Sequence, residues 1–380
     1  MISTLAILVL VVWGLTALDL VVGTFFFTPA LRRSRDLSPC HPSTPSVSII
    51  FAAKNEAAHV RSALRTMLAQ EYPHFEVIAV NDRSSDETLS EMKACAGDPR
   101  LKVLDIQNLP AGWLGKTHAL QQGYLASSGR WLLFTDADVM FDPAALRRTV
   151  NAVQDRRLDH LALIPKMVTR QYIEAAFFNY FILLFNMRYG LWKARFRGLP
   201  FYVGIGAFNF LSREAYEKIG THKKIALEVL DDMLLGREVK RAGFRQMAML
   251  GQELVSVRWF EGFKGGVQSL EKNAFAAMDY SVPLLLILTA LSFLLNIFPY
   301  LMLFFPHPSA FLPGLGSLAC IFVLYLTNQK YDKAALSVFP LHPVTCLLMN
   351  FVVWRSALKI LAAGGVHWRG TFYSMEELKK

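Results

Sequence analysis

The sequence predicts an α/β fold: a Rossmann-like, mostly parallel sheet with transmembrane helices on its N-terminal and C-terminal sides. Three observations carry this. Apolar strand-like runs alternate with helix-patterned segments between Ser46 and Val139, the order of a parallel sheet with crossover helices. Polar or acidic residues fall just past successive runs, at Asn55 and Glu56, at Asp82, and at Asp136 and Asp138; open α/β sheets bind ligands at these carboxyl ends. The 380 residues are 53% hydrophobic with a mean hydropathy of +0.31, too apolar for a soluble domain alone.

The charge of +10 comes without a nucleic-acid-binding motif, so nucleic acid is not an expected partner. Anionic headgroups of a lipid bilayer and a nucleotide diphosphate fit it better. Cys40, Cys95, Cys320 and Cys346 show no C-x-x-C spacing, which argues against a disulfide framework or a zinc site.

Residues 1–28 read as a membrane anchor. Leu5 to Phe27 is apolar apart from small residues and Asp19, and is long enough to span. Arg32, Arg33 and Arg35 follow and place the next segment in the cytoplasm by the positive-inside rule. Residues 29–45, with four prolines, read as a linker. The catalytic domain is expected over 46–275.

Within it, Ser46 to Ala53 is a strand and Ala57 to Gln70 a helix, with Val60, Leu64 and Leu68 at helical spacing. Phe75 to Val80 is the second strand, ending in Asn81-Asp82-Arg83-Ser84-Ser85-Asp86. Asp82 is placed to accept hydrogen bonds from a base or ribose, or simply to close a turn; Asp86 is placed to cap a helix. Leu101 to Leu104 is a short strand, and Thr117 to Ser127 a helix. Lys116 precedes that helix, where backbone N–H groups favour anions; the stretch is not a P-loop, because position 111 is Ala.

The apolar run Trp131–Phe134 then leads to Asp136-Ala137-Asp138. Two hard oxygen ligands suit Mg²⁺ or Mn²⁺ together with substrate phosphates; the alternative is a solvated turn. The aromatic stretch at about 171–192 reads as an interfacial helix, with a spanning or a core helix as alternatives. Gly204 and Gly206 do not form a dinucleotide fingerprint and are expected to let a substrate approach. Asp231 and Asp232 open a helix that runs to about Arg241. They suit a helix N-terminus, or Asp232 acts as general base on an acceptor hydroxyl. Arg258 and Trp259 suit a diphosphate and a sugar or lipid face, or form a membrane-surface pair.

Residues 276–380 form a C-terminal membrane region with two or three hydrophobic helices. Val282 to Phe305 and Phe311 to Leu326 are span candidates. Val344 to Trp354 is a fourth span or a re-entrant or interfacial helix, with three spans preferred and the tail from His367 to Tyr373 kept in the cytoplasm.

The ordered set Lys54-Asn55-Glu56, Asn81 to Asp86, Gly115-Lys116, Asp136-Ala137-Asp138, Asp231-Asp232-x-x-Leu235 and Arg258-Trp259 resembles that of membrane-bound family 2 glycosyltransferases of the GT-A fold. The resemblance implies a UDP-sugar donor with Asp82 at the uracil, a metal on Asp138 with Asp136 on the metal or the ribose, Asp232 as base, and inversion at the anomeric carbon. The loop Leu109 to Lys116 resembles that of bacterial enzymes acting on carotenoids and hopanoids. Processive synthases of the family carry Gln or Arg where this chain has Val255, so the implied reaction is one hexose, glucose favoured, moved to one membrane lipid acceptor. A polyprenyl-phosphate sugar transferase and a non-catalytic scaffold that keeps the nucleotide-binding fold are the alternatives.

Overall fold

The computed structural model describes residues 2–32, 44–259, 262–271, 273–368 and 371–378. Arg33, Arg35, Cys40 and most of the expected linker lie outside them, as do part of the tail and Lys272. In chain order the elements are α1 (Ile2–Val22), β1 (Val47–Ala53), α2 (Val60–Leu68), β2 (Phe75–Asp82), α3 (Thr88–Lys93), β3 (Leu101–Ile106), α4 (Gly115–Leu125), β4 (Trp131–Asp136), β5 (Met140–Phe141), α5 (Ala145–Asp155), β6 (His160–Ile164), β7 (Lys166–Met167), α6 (Tyr172–Tyr189), β8 (Asn209–Ser212), α7 (Arg213–Lys218), α8 (Asp231–Arg241), β9 (Gln246–Leu250) and β10 (Val255–Val257). Then come α9 (Gly262–Glu271), α10 (Asn273–Ala276), α11 (Val282–Asn296), α12 (Phe298–Met302), α13 (Pro308–Asn328), α14 (Ala335–Val338), α15 (His342–Ala363) and the hairpin β11 (Gly365–Trp368) and β12 (Thr371–Ser374).

The chain divides into two units. The α/β unit holds residues 28–168 and 191–258. Its main sheet has the order β3-β2-β1-β4-β8-β6-β9. The first four strands are parallel, and β8 is antiparallel to both neighbours. Val47, Ile49, Phe51, Val77 and Leu133 face one core, while Ile50, Ile78, Val80, Leu132 and Phe134 face the other. Burial on both faces is why these strands read as continuous apolar runs. A second sheet, β5-β10-β7, joins segments from before and after α6.

The helical unit holds residues 1–27, 169–190 and 259–380. Segments 169–190 and 259–275, which the sequence grouped with the catalytic domain, therefore pack among the apolar helices. The reason is that α6 is apolar nearly all round and buries Ala176, Phe177, Tyr180 and Leu183. Its polar residues find partners in the same unit: Asn179 Nδ2 donates to Asp332 Oδ2 at 2.7 Å, and Asn328 Nδ2 to Asn179 O at 3.0 Å. Glu271 on α9 pairs with Arg355 and Lys359 of α15 at 3.1 and 2.6 Å.

Four helices are long and apolar enough to cross a membrane: Ile2–Phe27, Val282–Met302, Pro308–Asn328 and Ala335–Ala363. Contacts within the unit set their directions. Helices α1 and α13 run parallel, with Ser3 Oγ 2.7 Å from Ser309 Oγ and Leu10 beside Gly316. Helix α15 runs back along α11, with Trp354 Nε1 donating to Thr289 Oγ1 at 3.0 Å and Asn350 Nδ2 to Ser292 Oγ at 2.9 Å. Its last turns (Ala357, Ile360) share a cluster with Leu285 in the first turn of α11. The segment 335–363 thus begins near the end of α13 and ends at the start of α11. These lie at one end of the bundle, where the segment therefore both begins and ends. It turns at a single 3₁₀ turn, Phe339–Leu341, with Pro340 and Pro343 at the break.

Candidate active site

The site lies at the carboxyl ends of β1, β2 and β4. Asp136 is the last residue of β4, and its Oδ1 is 2.9 Å from Lys116 Nζ. Lys116, the second residue of α4, also lies 3.5 Å from Asp231 Oδ2 in the first turn of α8. The N-termini of α4 and α8 therefore meet at the same strand end, with the Lys116 ammonium between Asp136 and Asp231. Burial works against the Lys116 charge, but Asp136, Asp231 and Asp232 outweigh it and hold the ammonium protonated far above the usual lysine range.

Asp232 is held on both oxygens. Gly206 N donates to Oδ2 at 2.7 Å and Met233 N to Oδ1 at 2.8 Å. Burial, helped by the neighbouring Asp231 charge, pushes its pKa up to about 6 despite Lys116. The glycines of this loop serve a purpose different from the expected substrate approach. A Cβ at Gly204 would collide with the backbone of Asp232, and one at Gly206 would sit 2.8 Å from Asp136 Oδ2 and 3.3 Å from Asp232 Oδ2. Both let α8 close onto the strand ends.

A buried polar network fixes α8 from behind. Asn209 Nδ2 donates to Asp232 O at 3.3 Å, and Asn209 Oδ1 hydrogen-bonds His160 Nε2. Gln246 Nε2 reaches His160 Nδ1 at 2.8 Å and Gly236 O at 2.9 Å. An acceptor Nδ1 and a donor Nε2–H make His160 a neutral tautomer, and its burial lowers the pKa to about 4. A small cavity of about 10 Å³, lined in part by Lys116, Thr135, Asn209, His222 and Asp232, has room for roughly one water. Sequence reasoning misses His160, Gln246 and His222, because a polar residue inside a short strand or 3₁₀ turn leaves no periodic signal.

The second corner surrounds Asp82. Arg83 donates to both its oxygens, at 2.8 and 3.2 Å, and a Cβ at Gly115 would collide with Asp82 Oδ2. Gly115 thus brings Asp82 against the start of α4, one residue from Lys116. Asn55 has a φ of 57°; its Oδ1 accepts from Ser85 N at 2.9 Å and its N donates to Ser84 Oγ at 3.1 Å. Glu56 N donates to Thr88 Oγ1 at 2.8 Å. Asp86 does more than cap: it accepts from Thr88 N at 3.0 Å and from Ala57 N at 3.2 Å, tying the ends of β1 and β2 together.

Arg258 follows β10, whose partner β5 starts two residues after Asp138. Trp259 belongs to the helical unit, where it meets Phe181 edge-on with centroids 4.7 Å apart. Among the described residues no group of three or more His, Cys, Asp or Glu side chains is arranged to hold a metal. Asp136 and Asp138 supply two carboxylates, which fits a Mg²⁺-type ion that completes its shell with water and phosphate oxygens.

Residues 48–220 match the glycosyl transferase family 2 model. The chain is 23% identical over 343 residues to a 4,4'-diaponeurosporenoate glycosyltransferase of Staphylococcus aureus strain MRSA252, covering 87% of this chain and 89% of the relative. It is 25% identical over 284 residues to the enzyme of that name from Staphylococcus haemolyticus, covering 73% of each. In fold it is similar to a Pyrobaculum calidifontis mannosyltransferase solved with GDP-Man and Mn²⁺: the TM-score is 0.55 at 18% identity, over 95% of this chain and 99% of that one.

Proposed function

From the premise that this membrane protein carries a glycosyl transferase family 2 domain, we propose that it moves a hexose, with inversion, from a UDP-sugar to the hydroxyl or carboxyl of a membrane lipid. Glucose is the favoured sugar, and a carotenoid or hopanoid the favoured lipid class. One observation carries the reading: Lys116, Asp136, Asp231 and Asp232 meet at the carboxyl edge of the sheet, with Asp232 fixed and its pKa raised to about 6. A base in that range takes a proton from an acceptor near neutral pH.

Asp82, Asn55 and Glu56 face the nucleoside. Lys116 and the α4 N-terminus receive the diphosphate, and Arg258 assists its departure. Asp138 and Asp136 would hold Mg²⁺ or Mn²⁺, which neutralises the leaving diphosphate when bound. Asp232 takes the acceptor proton as the acceptor oxygen attacks the anomeric carbon. Trp259 offers a ring face to the sugar or lipid. The acceptor class is supported by the relatives' printed name, whose "-oate" denotes a carboxylate. The return of segment 335–363 to the end of the bundle where it begins supports three crossings, with the catalytic unit and the tail both cytoplasmic.

The test is to incubate membranes containing the protein with labelled UDP-glucose and total lipid, then to analyse lipids by mass spectrometry. A hexosylated lipid that depends on the protein is expected. Absence of any sugar-bearing lipid, with UDP-glucose and with other UDP-hexoses, overturns the reading.

A further inference from the structure

The last turn of α6 sits where two membrane-length helices finish. Tyr331 Oη lies 3.5 Å from Asn186 Oδ1 and 3.4 Å from Thr24 Oγ1. Tyr331 follows the end of α13, and Thr24 follows the end of α1. Lys330 Nζ stands 4.9 Å from the centre of the Phe25 ring at the same end. A cation beside an aromatic ring at the end of two spans is the composition of a headgroup layer.

From there the chain passes through Gly190, the left-handed cap of α6, and Leu191 into the stretch Trp192-Lys193-Ala194-Arg195-Phe196-Arg197-Gly198-Leu199-Pro200-Phe201. Cations and apolar residues interleave along it. No Asp or Glu occurs between Glu174 and Glu214, an interval that holds Arg188, Lys193, Arg195, Arg197 and Arg213. Residues 195–200 are all exposed, with Phe196 at 37% and Leu199 at 41%.

The stretch is nevertheless firmly held. Leu191 and Ala194 are buried, and Val203 N donates to Gln246 Oε1 at 2.9 Å. Lys240 Nζ on α8 donates to Ala194 O at 2.7 Å and to Phe196 O at 2.6 Å. Phe196 N donates to Lys193 O at 3.0 Å, and Leu199 N to Phe196 O at 3.2 Å. Lys193 Nζ lies 4.8 Å from the centre of the Phe201 ring. Exposed apolar side chains are ordinary where they are scattered. Two on one fixed loop, set among three cations, match the two layers of an anionic membrane surface: phosphates outside and hydrocarbon beneath.

We propose that residues 192–201 form a docking loop for the anionic headgroups of the bilayer. Lys193, Arg195 and Arg197 meet lipid phosphates, and Phe196 and Leu199 enter the acyl boundary. The docking is independent of which sugar or lipid the protein handles.

The test places the full-length protein in nanodiscs of phosphatidylcholine, or of an equal mixture of phosphatidylcholine and phosphatidylglycerol. Amide hydrogen exchange of residues 195–201 is followed by mass spectrometry. The exposed stretch Asp155-Arg156-Arg157 serves as reference, because it is basic but has no exposed apolar residue. Exchange over 195–201 slows at least about tenfold in the mixed discs, the slowing disappears in high salt, and the reference does not change. The Phe196→Ser/Leu199→Ser variant keeps every cation and loses most of the protection; Arg195→Gln/Arg197→Gln loses the response to phosphatidylglycerol. Unchanged exchange in β1 and β4 shows that each variant is folded, and if one is not, the other decides. Equal exchange in the two kinds of disc overturns the proposal, as does protection that survives in a folded variant. Full protection by soluble polyphosphate in phosphatidylcholine discs also overturns it, since the loop would then be an anion site and not a membrane one.

Discussion

Glu76 and Asp232 sit at opposite ends of one sheet, and the fold treats their carboxylates in opposite ways. Near the amino end of β2, Glu76 accepts from Ser48 Oγ at 2.8 Å, Ser128 N at 2.6 Å, Ser128 Oγ at 2.8 Å and Lys102 Nζ at 2.7 Å. Partial burial opposes its charge, but these donors outweigh it and bring the pKa down to about 2. At the carboxyl end, Asp232 accepts two backbone N–H bonds, yet burial and Asp231 push it up to about 6. A saturated carboxylate ties strands together. A crowded one keeps a proton affinity that chemistry can use, at some cost in stability.

That contrast can be broken by substitution. The largest effect is expected from Asp232→Asn: sugar transfer falls about 10²–10⁴-fold, while Tm moves by less than about 3 °C, because a crowded charge is removed. Lys116→Met comes next. It leaves Asp136, Asp231 and Asp232 without their shared cation, so the KM for the sugar donor rises at least about tenfold. Unfolding becomes easier by about 2 kcal/mol, less than the full cost of breaking a buried pair because Lys116 is partly exposed. Glu76→Gln gives the mirror image of Asp232→Asn: it destabilises by about 2 kcal/mol and leaves kcat unchanged. Because the folded pKa of Glu76 is depressed, its contribution is full above the unfolded value near 4.5 and is lost as pH falls toward about 2. The smallest effect is that of Gly206→Ala, whose Cβ presses on Asp136 Oδ2. Transfer should drop about tenfold with little change in Tm, as expected for displaced reacting groups.

Strands β1, β2 and β4 were legible because burial on both faces makes them short apolar runs, and their polar ends followed from strand direction. The convergence of Lys116 on Asp231 was not legible. It joins residues distant in sequence, through Gly204 packed on the Asp232 backbone and Gly206 packed on the Asp136 and Asp232 carboxylates. Strands β6 and β8 also escaped, because His160 and Asn209 are buried in them as a polar network, where an apolar pattern would have revealed the strand. In the helical unit, the apolar stretches announced the helices. The return of 335–363 to the end where it begins depends on which helix each turn packs against, and hydropathy does not record that.

The central claim is that the carboxyl edge raises Asp232 into the range of a working base. The pH dependence of kcat/KM for sugar transfer to lipid tests it most directly. Since the base acts deprotonated, the rate should climb with pH through an ionisation near 6 and level off above it. A rate that stays level down to about pH 4.5, as an ordinary carboxylate would give, would contradict it.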